Sequence, residues 1–184
     1  MREHSKALAS LKKSLVIRQA QLPSTHLDLA SSYHHIGLVY NNMGDYSKAI
    51  EYFERSLEIQ KIALPSEHPD VASSYNNIGL AYNNMGLYSK AAEYCERSLE
   101  IRKIALPRNH SDLASSYGDI GLVYNNMGEY SKSLSSHQQS LEIRKKILST
   151  DDPDLASSYH SIGIVHNNMG EYSKALTLHQ QSLE

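Results

Sequence analysis

The sequence is poor in the residues that mark disulfide frameworks, membrane insertion or nucleotide chemistry. In 184 residues there is no tryptophan, one phenylalanine and one cysteine, Cys95. A lone cysteine excludes an intrachain disulfide, and a reducing cytoplasmic setting fits it best. No apolar run approaches the roughly 18–20 residues of a membrane helix. The opening MREHSKALASLKKSL has neither a continuous apolar core nor a cleavage-like site, so it does not read as a secretory signal. The formal charge is −2 with no basic stripe, which excludes nucleic acid as an expected partner.

Catalytic chemistry is equally thin. No Ser, His and acid stand at a spacing that argues for a nucleophilic triad. No Gly-rich loop follows a strand pattern to cradle a phosphate. The ten histidines do not form ligand pairs: His34 and His35 are adjacent, His160 and His166 six apart, and neither spacing is the i, i+4 of a helical metal site. Cys95 stands where other copies of the same segment carry Phe53, His137 and His179, so it reads as a small buried apolar residue. The expectation is a protein that is no enzyme and has no cofactor and no metal.

What is present is a period. NNMG occurs at 41–44, 83–86, 125–128 and 167–170, each 42 residues after the last. Gly37, Gly79, Gly121 and Gly163 keep the same step, as do Pro23, Pro65 and Pro107. A fixed period in this range is the mark of a stacked repeat. The chain reads as one repeat domain, 1–184: a partial unit 1–28, units 29–70, 71–112 and 113–154, and a partial unit 155–184.

Each unit holds two helical stretches. In the first, 28–43, Asp28 is the expected N-cap. Ala30, Tyr33, Ile36, Gly37 and Tyr40 fall on one side, with Ser31, His34, Leu38, Asn41 and Asn42 opposite. Gly44 ends it, as a left-handed terminal residue. The second stretch, 46–63, is expected to bury Ala49, Tyr52, Phe53, Ser56, Leu57 and Ile62, and Leu64-Pro65 stops it. The four Met residues of NNMG are expected to pack inward. A mid-helix Gly costs about 0.5–1 kcal/mol relative to Ala. Keeping Gly37 in every unit therefore predicts a helix crossing too close for a side chain, with Ala49 as partner.

The spacing of Tyr33, Ile36, Gly37, Tyr40, Ala49, Phe53 and Ser56 resembles the tetratricopeptide (TPR) signature. Tyr stands where that family often has Trp, and Ser where it often has Ala. The usual unit is about 34 residues. The longer unit here, with HPDVASSYNNIGLAY at 68–82 and RSLEIRKIAL at 97–106, is similar to the repeats of kinesin light chains and nephrocystin-like proteins. The resemblance implies an all-α fold: a TPR-like α-solenoid, a right-handed superhelix of antiparallel helix pairs, about nine helices in all. It also implies that the first helices line a concave groove.

Stacked units would align equivalent residues into columns along that groove: Ser31, Ser73, Ser115 and Ser157; His34, Asn76, Gly118 and His160; Leu38, Leu80, Leu122 and Ile164; Asn41, Asn83, Asn125 and Asn167. An Asn column can hold a peptide backbone through its donors and acceptors, and a Leu column can seat apolar anchors. The second Asn of each pair reads instead as a helix-end residue. The expected function is a protein–protein interaction scaffold binding a peptide or protein segment. The first helices carry Asp28, Asp70, Asp112, Asp119 and Asp154 but no Lys or Arg. That predicts a neutral to mildly basic partner with apolar anchors, unlike the acidic cargo motifs that basic kinesin-light-chain grooves take. His34, His35 and His160 would make the groove partly cationic below about pH 6.5. The alternative is a structural spacer with no dedicated ligand, starting at a second helix (4–22) and ending inside another at Glu184, that self-associates head to tail through uncapped ends.

Overall fold

The computed structural model describes residues 2–182, with side chains from residue 4. Among these residues there are nine α-helices and no strand: α1 Arg2–Gln21, α2 Leu27–Asn42, α3 Tyr46–Ala63, α4 Pro69–Asn84, α5 Tyr88–Ala105, α6 Ser111–Asn126, α7 Tyr130–Ile147, α8 Pro153–Asn168 and α9 Tyr172–Gln181. The chain forms two compact units, Met1–Ile101 and Arg102–Glu184. Glu184, the expected end within a helix, lies outside the described residues.

In the first unit α2 packs on α3 and α3 on α4; in the second α6 packs on α7, α7 on α8 and α8 on α9. The hairpins are antiparallel. Ser56 Oγ, late in α3, donates to the carbonyl of Ala30, early in α2 (2.8 Å). Lys48, early in α3, sits over the ring of Tyr40, late in α2. Each hairpin turns at a glycine with positive φ, +78° at Gly44 and +79° at Gly128, where no Cβ has to be accommodated.

The close crossing involves the expected Ala49 through its backbone, and a side chain that was not expected lies closer still. A Cβ on Gly37 would lie 2.6 Å from the Phe53 ring and 3.2 Å from the Ala49 carbonyl oxygen. The side chain that fills the space is the residue four further along, and it varies: Cys95 faces Gly79, His137 faces Gly121 and His179 faces Gly163. Ser133, replacing Ala49 in the third unit, donates to the Gly121 carbonyl at 2.7 Å, so its hydroxyl is satisfied although fully buried.

Three further expectations need correction. The N-cap of α2 is His26, whose Nδ1 accepts from the Asp28 backbone N–H at 3.1 Å; His68 and His110 do the same for α4 and α6, and α8 alone of these first helices is capped by an acid, Asp152. The aspartates sit two residues past the cap, in the first turn, where the helix dipole favours them. Ile62 is not buried but 71% exposed, because Ile59 and Gln60 take the inward positions. Met43, Met85, Met127 and Met169 are helix C-caps with side chains 37–43% exposed.

Gln60 belongs to a repeated clasp joining successive hairpins. Arg18 Nη1 donates to the carbonyl of Asp28 (3.1 Å) and to Ser32 Oγ (2.6 Å), and Arg144 Nη1 repeats this with Asp154 (3.1 Å) and Ser158 (2.8 Å). Arg102 does so with Asp112 and Ser116. Where the third helix has Gln60, Ser74 donates to its Oε1 at 2.7 Å. Hydrogen bonds to a charged group contribute about 1.5–3 kcal/mol net, so the second Ser of each pair is a structural residue.

The caps give a first prediction. His68→Asp should stabilise the protein by a few tenths to about 1 kcal/mol, because a carboxylate is the better N-cap and suits the dipole. Urea unfolding at pH 7 measures it, and a loss of stability would mean that the imidazole cap has a role beyond this one bond.

Candidate functional site

In the second unit, α6 and α8 flank a cleft of about 340 Å³ whose base is the inner face of α7. Ser115, Leu122 and Asn125 come from α6, and Ser157 and Ile164 from α8, so five expected groove residues line one cavity. Leu122 and Ile164 are 43% and 39% exposed. An Asn pair ties the helices at one end: Asn168 Nδ2 donates to Asn125 Oδ1 at 2.9 Å. The second Asn of this NNMG thus bridges repeats.

The α6–α8 cleft also holds residues that the sequence reading assigned elsewhere. Gly118, from the expected column of His34, Asn76 and His160, also lines it, whereas Asp119 beside it was noted only for its charge. His137, Ser140 and Arg144 come from α7. Arg144 is held against Ser158 and the Asp154 carbonyl and stands 3.8 Å from the Asp154 carboxylate, so its charge is partly matched. His137 is 7% exposed; burial first, and then the Arg144 charge, push its pKa down to about 4. It is a neutral imidazole at pH 7. The hydroxyls of Ser115, Ser157 and Ser161 each donate to a carbonyl four residues back, at 3.2, 3.0 and 2.9 Å, and keep acceptor capacity. The signal that could have found Arg144 was in the sequence: Arg18, Arg102 and Arg144 share one repeat position, fourteen residues before a Ser.

Two other predicted residues of this unit lie off the cleft lining. His160 is exposed, its ring tilted 49° against that of His179 at 4.9 Å between centroids, and Asn167 is exposed.

In the first unit the predicted residues are less open. Leu38 and Leu80 are half-buried, Leu38 packing on the core, and Asn41 is half-buried. Asn76 and Asn83, expected to face a ligand, are buried at 7% and 8% exposure. Ser73 Oγ donates to the Pro69 carbonyl at 3.0 Å, while Ser31 is exposed beside His35. His34 is half-buried with its ring 5.5 Å from that of Phe53, and burial lowers its pKa, so it gains charge at a more acidic pH than the sequence suggested.

The thirteen tyrosines have a place in this arrangement. Lys48, Lys90 and Lys132 lie over Tyr40, Tyr82 and Tyr124 at 5.3, 5.3 and 5.4 Å; Lys61, Lys103 and Lys145 lie over Tyr75, Tyr117 and Tyr159 at 5.1, 5.5 and 5.2 Å. In the last unit His166 replaces the first of these tyrosines and meets Glu171 Oε2 at 2.6 Å. Among the described residues no group of three or more His, Cys, Asp or Glu is placed to hold a metal, and no helix is long and apolar enough to cross a membrane.

Antiparallel helix pairs joined by repeated clasps, with an open cleft between successive first helices, define an all-α helical-hairpin repeat protein. The tetratricopeptide repeat model matches residues 1–62, 28–104, 70–143 and 112–184, and the chain belongs to that family. No curated protein matches the chain significantly. Among solved structures, a putative kinesin light chain with nearly identical TPR-like repeats from Podosopora anserina is similar at 24% identity over 97% of this chain and 85% of that one, with a TM-score of 0.83. BtubC (BKLC) from P. vanneervenii is similar at 23% identity over 98% and 72%, TM-score 0.87. The apo form of RapI follows at 20% over 98% and 48%, TM-score 0.80. These likenesses establish the fold.

Proposed function

We propose that the chain is a non-catalytic protein–protein interaction scaffold that takes an extended peptide or protein segment on the face lined by its first helices. The observation that supports this best is the pairing of Leu122 and Ile164, 43% and 39% exposed on the walls of one cleft, beside serine hydroxyls and the Asn125–Asn168 bridge. Apolar walls with a few polar groups suit a peptide whose side chains are the anchors. Asp119 and Arg144 both line the cleft, and one charge of each sign suits a neutral to mildly basic segment. A reducing cytoplasmic setting belongs to the same proposal, given one buried cysteine.

The test uses an array of neutral and mildly basic peptides carrying two apolar residues. The double variant Leu122→Ser/Ile164→Ser should lose binding by about tenfold or more while circular dichroism stays unchanged, since each truncated anchor is worth about 1–3 kcal/mol. Equal binding by variant and parent would remove the cleft from the function. A second reading, self-association of a structural array segment, draws on Leu176, which is 61% exposed in α9 where the equivalent Ile50 and Ala92 are 7%. Sedimentation that shifts with concentration, and a Leu176→Lys variant that abolishes the shift, would favour it.

A further inference from the structure

The peptide cleft uses one side of α6. Leu113 and Tyr117 stand half a turn around that helix from Ser115 and open onto a different cavity. This second cavity, about 460 Å³, lies between the end of α5, the 106–110 connection, α6 and α7. Its charged lining residues are Lys103, Arg108, Lys146 and Glu142. Lys146 Nζ meets Glu142 at 2.7 Å, which matches one charge of each sign. Lys103 lies 5.5 Å over the Tyr117 ring, a contact that orients the ammonium without neutralising it, and Arg108 is exposed in the connection. Asn109 adds a neutral amide donor. Three cations and one anion leave this cavity at +2.

A cavity of the first unit, also about 460 Å³, shares four repeat positions with it, Lys61, Tyr75, Arg97 and Glu100 standing for Lys103, Tyr117, Gln139 and Glu142, while the rest of its lining comes from other positions. There the charged lining residues are Lys61, Arg97, Glu93, Glu96 and Glu100, two cations against three anions, or −1. The cation-rich lining is particular to the second unit, since the first-unit equivalents of Arg108 and Lys146 are Ser66 and Ile104.

We propose that the cavity of Lys103, Arg108 and Lys146 is an anion-recognition site that receives an acidic or phosphorylated side chain of a partner protein. A fork-shaped guanidinium beside a compact ammonium suits phosphoryl and carboxylate oxygens. The patch is too small for a nucleic-acid backbone, which requires a stripe of cations along successive phosphates. The site is independent of the peptide cleft, with a different face of α6 and the opposite charge preference.

The experiment titrates the full chain with a short Ser/Gly peptide bearing one phosphoserine flanked by glutamates, followed by amide chemical shifts. Unphosphorylated and lysine-substituted peptides and inorganic phosphate are the other arms. Shifts should concentrate at 103–109, 117 and 139–146, weaken with salt, and be absent with the lysine peptide. Lys103→Glu/Arg108→Glu should weaken binding by about tenfold or more with helicity unchanged, whereas Lys61→Glu should change it less than twofold. Four outcomes would overturn the proposal: no shifts, equal shifts around 57–61 and 93–100, undiminished binding by the double variant, or inorganic phosphate binding as tightly as the peptide.

Discussion

Gly79→Leu is expected to cost about 3 kcal/mol or more, enough to unfold a marginal variant of this protein at ordinary temperature. The first atom of the new side chain already has no room. A Cβ at this position would lie 2.6 Å from Cys95 Sγ, 3.1 Å from the Ala91 carbonyl oxygen and 3.1 Å from the Cys95 backbone nitrogen. The sulfur could swing aside, but the two backbone atoms move only if α5 moves, and close-packed interiors resist that. Gly118→Ala is the matched control, one helix position of the same residue type without the crossing. Its Cβ would find only Ser140 Oγ at 3.7 Å, an ordinary contact. That variant should gain about 0.5–1 kcal/mol from helix propensity alone. Urea unfolding followed at 222 nm reads both. Equal effects from the two substitutions would mean that the crossing geometry is not what fixes glycine in the repeat.

The contrast between Gly79 and Gly118 shows where a sequence is legible. The 42-residue period carried the architecture, because glycine, small residues and aromatics recur at steps that only stacked helical pairs satisfy. Bounds of α3 came out correctly since Gly44 and Leu64-Pro65 punctuate it chemically. The start of α2 was placed too late because histidine is an uncommon cap and aspartate a common one, so propensity pointed to Asp28 over His26. Ile62 was misjudged for a related reason. Polarity argues that Gln60 faces solvent, yet in this fold it is the neutral substitute for a clasping arginine and is buried at 8% while Ile62 is exposed.

The non-core stripe includes Ser115, Leu122, Asn125, Ser157 and Ile164 of the α6–α8 cleft, but also Asn76 and Asn83, which are buried. The α7 contribution was not readable, since His137, Ser140 and Arg144 sit at positions whose equivalents are core or clasp. Openness was also invisible: Leu80 and Leu122 have the same residue type and repeat position, but one is half-buried and the other 43% exposed.

His137→Phe is expected to abolish most of the loss of stability that acid causes between pH 6.5 and 4.5. His137 occupies the place of Phe53, packed on Gly121 as Phe53 packs on Gly37, so the phenyl ring has a precedent in the same fold. In the folded chain the imidazole titrates at about 4 rather than 6.5, because burial disfavours the cation and Arg144 repels it. Below pH 6.5 the unfolded chain takes up a proton that the folded one refuses. Stability from this residue is therefore complete above pH 6.5 and declines as pH falls toward 4. The total is about 3 kcal/mol, of which about 2–3 is lost by pH 4.5. His34, lowered in the same direction by burial, adds to this fall and survives in the variant. Glu142 and Glu171, held below the usual carboxylate range by Lys146 and by His166 with Lys174, lose their contributions only at still lower pH, outside the window. The measurement is the free energy of unfolding at pH 7 and 4.5 for parent and variant. The parent should drop by about 2 kcal/mol more than His137→Phe over that interval, with both still helical at pH 7. Parallel pH profiles would show that His137 can swing its ring to water when protonated, and that its burial against Gly121 is not enforced by the helix crossing.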